Sequence, residues 1–183
     1  MLTKNLKLEN FIEKKKSPQI QIELQKILNH KNEIVRSLEV NYKNRYSKKF
    51  ISKFNKFKEF CIIGMGGSIL GSKAIYNFLN HKIRKKFIFI DNLRNEKIET
   101  KTKKKKLNLI ISKSGNTLET ITNANILIKK NDKNLFITEN KDSYLMKLAK
   151  KLKAEIVHHN DYIGGRYSVL SEVGMLPAEL MGL

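Results

Sequence analysis

The chain has no tryptophan, one cysteine and two prolines, and its 17 acidic residues are outnumbered by 37 lysines and arginines. Each shortage excludes something. A lone Cys61 rules out an internal disulfide and points to a reducing, cytoplasmic location. With only Pro18, Pro177 and nine glycines, there is no Pro- or Gly-rich linker, and no internal repeat stands out. No apolar run approaches the about 20 residues that a membrane span needs. Residues 1–16 are rich in Lys and Asn and lack the apolar stretch of a secretory signal. No membrane partner is expected.

The formal net charge of +20 first points to nucleic acid. Yet the lysines are spread along the whole chain, and Asn and Ile are abundant beside them. The densest runs, residues 14–16 and 103–106, are not interleaved with aromatic rings for base stacking. No nucleic-acid partner is therefore expected. A diffuse positive field suits a small anion such as a phosphate ester.

What is present is enough for one packed α/β domain: 183 residues, 40% of them hydrophobic. Residues 1–55 read as a helical segment. Ser17 stands at an N-cap position, Pro18 at the first helical position, and Ile20, Leu24, Ile27 and Leu28 follow at helical spacing. A second helix is expected over residues 33–53, with Leu38, Tyr42, Tyr46 and Phe50 recurring every four residues. Both stripes are expected to pack on the segment that follows.

Residues 56–183 read as the α/β domain. Short apolar runs at 60–63, 87–90, 107–111, 135–137 and 155–157 suit buried parallel strands. Helical patterns over 69–80, 118–130 and 144–151 separate them. The connection over 91–106 has room for a short helix. A last helix is expected from about Ser168 to the end of the sequence, with no stop signal. The fold class is thus α/β: a doubly wound, mostly parallel five-stranded sheet with helices on both faces, preceded by N-terminal helices.

In such sheets ligands bind beyond the carboxyl ends of the strands. Three segments there carry chemistry. The first, Gly64-Met65-Gly66-Gly67-Ser68, leaves a strand and enters a helix. Glycines let a ligand approach the backbone amides, and the helix start favours an anion. Ile69 stands where a dinucleotide fingerprint has glycine, but Asp91 at a later strand end keeps a nicotinamide reading open. The second, Ser112-Lys113-Ser114-Gly115-Asn116-Thr117, crowds three hydroxyls into one turn. An N-cap at Thr117 or Asn116 accounts for at most one of them, and a phosphate accounts for all three. The third, Asp161-Tyr162-Ile163-Gly164-Gly165-Arg166-Tyr167-Ser168, sets a permanent cation after a glycine pair. Such an arginine either stabilises an oxyanion or ties the loop to a carboxylate.

In this order the three segments resemble the glucose-6-phosphate isomerase family over residues 60–176. The third, extended through Val169-Leu170-Ser171, narrows the match most. The resemblance implies an aldose–ketose isomerase that interconverts glucose 6-phosphate and fructose 6-phosphate in glycolysis and gluconeogenesis, without metal or organic cofactor. It further implies that Ser112, Ser114 and Thr117, with the Lys113 amide, hold the phosphate. Gly67 and Ser68 would contact the sugar, and Arg166 would stabilise the enediolate. The family's general base and ring-opening groups lie beyond the third segment, so this chain is expected to be the phosphosugar-binding N-terminal part, inactive alone. A homodimer is implied for the full-length protein. Glu172 departs from the family, which has a small residue there, and needs either a salt-bridge partner or altered packing.

Other residues point to no chemistry. His158 and His159 are adjacent and face opposite ways on an extended chain, so they make no metal clamp. His30 and His81 read as surface residues. Cys61 lies within a strand and reads as inert. Glu119 at a helix start complements the helix dipole. The alternative function is a non-enzymatic sugar-phosphate sensor, a regulatory module with a DNA-binding partner domain.

Overall fold

The computed structural model describes residues 17–30, 32–93, 106–129 and 132–183. Five strands form one sheet: β1 Glu59–Gly64, β2 Lys86–Ile90, β3 Lys106–Ile111, β4 Lys133–Thr138 and β5 Glu155–His158. All pairings are parallel, in the order β2-β1-β3-β4-β5. Among the described residues, seven α-helices accompany them: α1 Pro18–Asn29, α2 Glu33–Arg36, α3 Lys48–Ser52, α4 Leu70–Leu79, α5 Leu118–Leu127, α6 Tyr144–Lys151 and α7 Glu172–Met181.

The strands form because their side chains have apolar partners on both sides. β1 is buried from end to end. Its Phe60 and Ile62 join Leu107, Leu109, Leu135 and Ile137 in a core completed by Ile51 of α3, Phe54, Phe57 and the α7 residues Val173, Leu176 and Leu180. Cys61 and Ile63 face the other way, with Ile110, Phe136, Ala124 of α5 and Leu145 of α6. The sheet is therefore doubly wound, as the apolar runs predict. Phe60 and Phe87 stack across β1 and β2 at 4.6 Å.

The N-terminal region differs from expectation. The predicted helix over 33–53 is broken into α2 and α3. Ser37 turns its hydroxyl back to the Ile34 carbonyl (2.6 Å), and Ser47 caps a new helix through the Phe50 amide (3.2 Å). Tyr42 and Tyr46, spaced as if on one helix, instead direct their hydroxyls to Glu172 and Glu179 of α7. α1 starts where predicted, with Ser17 at the N-cap position and Pro18 first, though the Ser17 side chain makes no cap bond. Its stripe does not pack as expected: Ile20 is 70% exposed and Leu24 53%. Other helices already cover both sheet faces, so the stripe finds no partner among the described residues.

At the other end, the chain from Gly165 to Leu170 is a 3-10 helix, and α7 begins only at Glu172. Ser171 interrupts the two with extended backbone. α7 ends at Met181, with Gly182 in a left-handed conformation, φ +94°. α5 ends at Leu127. The expected short helix over 91–106, most of the two lysine runs, and residue 130 lie largely outside the described residues.

Candidate functional site

The strand order reverses direction between β1 and β3, and the turns that leave these two strands flank that switch point. After β1 the chain makes one 3-10 turn, Gly66–Ser68, and enters α4. After β3 it makes the turn 112–117 and enters α5. Register alone brings these turns together, since Gly64 stands opposite Ile111.

The third segment reaches the first by backbone contact. A Cβ added to Gly67 would lie 2.1 Å from the Gly165 carbonyl oxygen, so only glycine permits this approach. Ser168 fastens the junction: its hydroxyl lies 2.7 Å from the Gly165 carbonyl and 3.2 Å from that of Gly67. The second turn reaches the third as well, through the Lys113 ammonium, which donates to the Asp161 carbonyl (2.5 Å). All three segments singled out in the sequence thus meet beyond the carboxyl ends of the strands.

Within the second turn two of the three hydroxyls face each other. Ser112, almost fully buried, pairs its Oγ with Thr117 Oγ1 at 2.9 Å and accepts from the Gly115 amide at 3.2 Å. Ser114, exposed, accepts from the Asn116 amide at 3.2 Å. Thr117 stands at the α5 N-cap position, yet its side chain makes no cap bond. A phosphate oxygen entering the turn can take both hydroxyl hydrogens of Ser112 and Thr117. Gly115 holds the turn with φ +67°, and a Cβ there would lie 2.2 Å from Ser143 Oγ. Asn116 is engaged elsewhere: its Oδ1 accepts from the Tyr144 amide at the start of α6 (2.9 Å).

The electrostatics favour an anion. Arg166 is exposed and makes no ion pair among the described residues, so it is not tied to a carboxylate there. Glu139, buried just past β4, is held by two cations, Lys141 at 2.7 Å and Lys113 at 3.3 Å. The bonds to Glu139 push the Lys141 ammonium above its usual range. Lys113 therefore does not simply face solvent. Glu139 was not singled out in the sequence, although it directly follows a strand end, where chemistry is expected.

The remaining expectations divide. Asp91, the residue behind the nicotinamide reading, forms an ion pair with Lys73 of α4 at 2.5 Å. Cys61 is buried, and burial pushes its thiol up to about 11, which leaves it unreactive. Glu119 lies in the first turn of α5. Glu172 has found partners: it is fully buried, with His159 Nδ1 at 3.4 Å. Among the described residues, no group of three or more His, Cys, Asp or Glu is placed to hold a metal ion, and no helix is long and apolar enough to cross a membrane.

Known proteins resemble this chain. The sequence pattern of the family described as phosphoglucose isomerase matches residues 23–182. A glucose-6-phosphate isomerase of Methanocaldococcus jannaschii is 37% identical over 140 residues, covering 70% of this chain and 34% of that protein. One of Carboxydothermus hydrogenoformans is 33% identical over 151 residues, covering 70% of this chain and 32% of that protein. This chain thus spans about a third of the length of these relatives. Among solved structures, a hypothetical protein of Thermus thermophilus superposes with a TM-score of 0.65 at 26% identity, over 73% of this chain and 36% of that one.

Proposed function

Because the chain belongs to the phosphoglucose isomerase family, we propose that it forms the phosphosugar-binding N-terminal part of an aldose–ketose isomerase acting on glucose 6-phosphate and fructose 6-phosphate. The observation that carries this reading is the turn after β3, where Ser112 and Thr117 face each other at 2.9 Å beside the start of α5. The hydroxyls of Ser112, Ser114 and Thr117, with the Lys113 amide, take the phosphate; hydroxyls and a helix start bind a dianion without a fixed counter-charge. The sugar then lies toward Gly67 and Ser68. Arg166 faces the reacting carbons and stabilises the negative charge of the enediolate as a proton moves between neighbouring carbons.

The proton-transfer groups are read as lying in the rest of the relatives' length, so the chain alone binds and does not turn over. The full-length protein is read as a cytoplasmic homodimer. Calorimetric titration of the chain with fructose 6-phosphate tests the reading. Binding is expected, weakened about tenfold or more by Ser112→Ala or Thr117→Ala, since each removes a charge-assisted hydrogen bond. Tight binding of NAD with none of the sugar phosphate is the outcome that overturns it.

A further inference from the structure

Arg166 sits on an exposed turn, where an arginine has many positions to choose from. A polar junction buried behind the turn limits them. His159 Nε2 lies 3.1 Å from the carbonyl of Ile163, the residue just before the glycine pair. That carbonyl can only accept, so Nε2 carries a hydrogen. The other ring nitrogen, Nδ1, lies 3.4 Å from Glu172 Oε2. Both side chains are buried. The backbone closes the same loop: the His159 amide donates to Thr138 at the end of β4 (2.9 Å), and the Ile163 amide donates to Asn160 (3.3 Å).

Glu172 is in turn held from a distant part of the chain. Its Oε1 accepts from the Arg45 amide (2.8 Å) and from the Tyr42 hydroxyl (3.1 Å). Asn160 donates to the Tyr42 oxygen (2.8 Å) and accepts from Arg45 Nε (2.7 Å). A buried carboxylate is costly unless surrounded by donors, and here it is. Beyond the turn, Ser168 and Ser171 make the second anchor, through bonds of 2.7 Å to the carbonyls of Gly165 and Ser168. Arg166 is thus suspended between two fixed points.

We propose that Glu172 and His159 are positioning residues: acting through the Ile163 carbonyl, they fix the turn that presents Arg166 to the substrate. Neither touches the sugar. Their role in the reaction rests on the reading of Arg166 given above, while the fixing of the turn stands on its own geometry.

Amide hydrogen exchange on the 183-residue chain tests it. The Ile163 and Tyr167 amides, both bonded within this loop and turn, report its opening. In Glu172→Ala they are expected to exchange about tenfold faster or more, with the Ile62 and Leu109 amides of the central strands unchanged. His159→Leu fills a similar volume without either polar contact and should do the same, which covers the case that Glu172→Ala fails to fold. Glu172→Gln should rescue, within about threefold of wild type. Its side chain keeps the shape of the carboxylate, and its carbonyl can accept from Arg45 and Tyr42. Fructose 6-phosphate affinity should fall in the first two variants and persist in the third. The proposal is overturned if Ile163 and Tyr167 keep their wild-type rates, if they accelerate no more than Ile62 and Leu109, or if Glu172→Gln behaves like Glu172→Ala. A wild-type chain that binds no fructose 6-phosphate sinks the functional reading alone, and the exchange rates still decide whether the junction fixes the turn.

Discussion

At Gly67 two stretches of backbone far apart in sequence meet. With its missing Cβ only 2.1 Å from the Gly165 oxygen, the first and third segments share a contact that no side chain can enter. Gly67→Ala should therefore separate them and displace Arg166 from the sugar, with fructose 6-phosphate affinity reduced at least about tenfold by calorimetry. The core residue Ile69 lies two positions on, so the thermal midpoint should fall as well, by a few degrees for each roughly 1 kcal/mol lost in a domain of this size. A variant that binds normally would show that the approach is incidental. Such a site is readable from sequence because its chemistry is local. Ser112, Ser114 and Thr117 sit within six residues, and the glycine pair directly precedes Arg166. Glu172 is different. Its partners Tyr42 and Arg45 lie 130 and 127 residues away, and nothing in the local pattern links them.

At the level of elements, α7 carries a fully buried carboxylate, Glu172. Burial works against ionising Glu172, but bonds from His159, from backbone amides including that of Arg45, and from the Tyr42 hydroxyl outweigh it and hold the carboxyl below its usual range. A depressed folded pKa means that the stabilisation is complete at neutral pH. It is lost as pH falls from the ordinary value of 4.5 through the folded one. Urea melts between pH 6 and pH 3 should show wild type losing more stability than Glu172→Gln, which has no proton to take up there. Equal losses would mean that the carboxylate is not held by these bonds. The strands were legible because each is apolar on both faces, a signal that needs no knowledge of partners. The break between α2 and α3 was not. Tyr42, Tyr46 and Phe50 keep helical spacing, and a tyrosine whose ring packs in a helix looks the same in sequence as one whose hydroxyl reaches a carboxylate. The apolar stripe of α1 was misread for a related reason: periodicity names a buried face but not what buries it.

For the molecule as a whole, the +20 charge acts on whatever approaches the carboxyl end of the sheet. Raising ionic strength from about 0.01 M to about 0.15 M shortens the screening length from about 30 Å to about 8 Å. The on-rate for fructose 6-phosphate should drop several-fold in stopped-flow measurements over that range, while an uncharged sugar analogue shows no such change. A salt-independent rate would mean that the lysines contribute nothing to capture. The site is also built from pieces that arrive at different times. Phe54 and Phe57 belong to a core that includes Val173, Leu176 and Leu180 of α7, and Tyr42 and Tyr46 bond to carboxylates on that same helix. During synthesis, the segment that emerges early has no seat until α7 clears the ribosome. A nascent chain halted before α7 leaves two phenylalanines without their cover. Chaperone demand should thus persist until that helix is made.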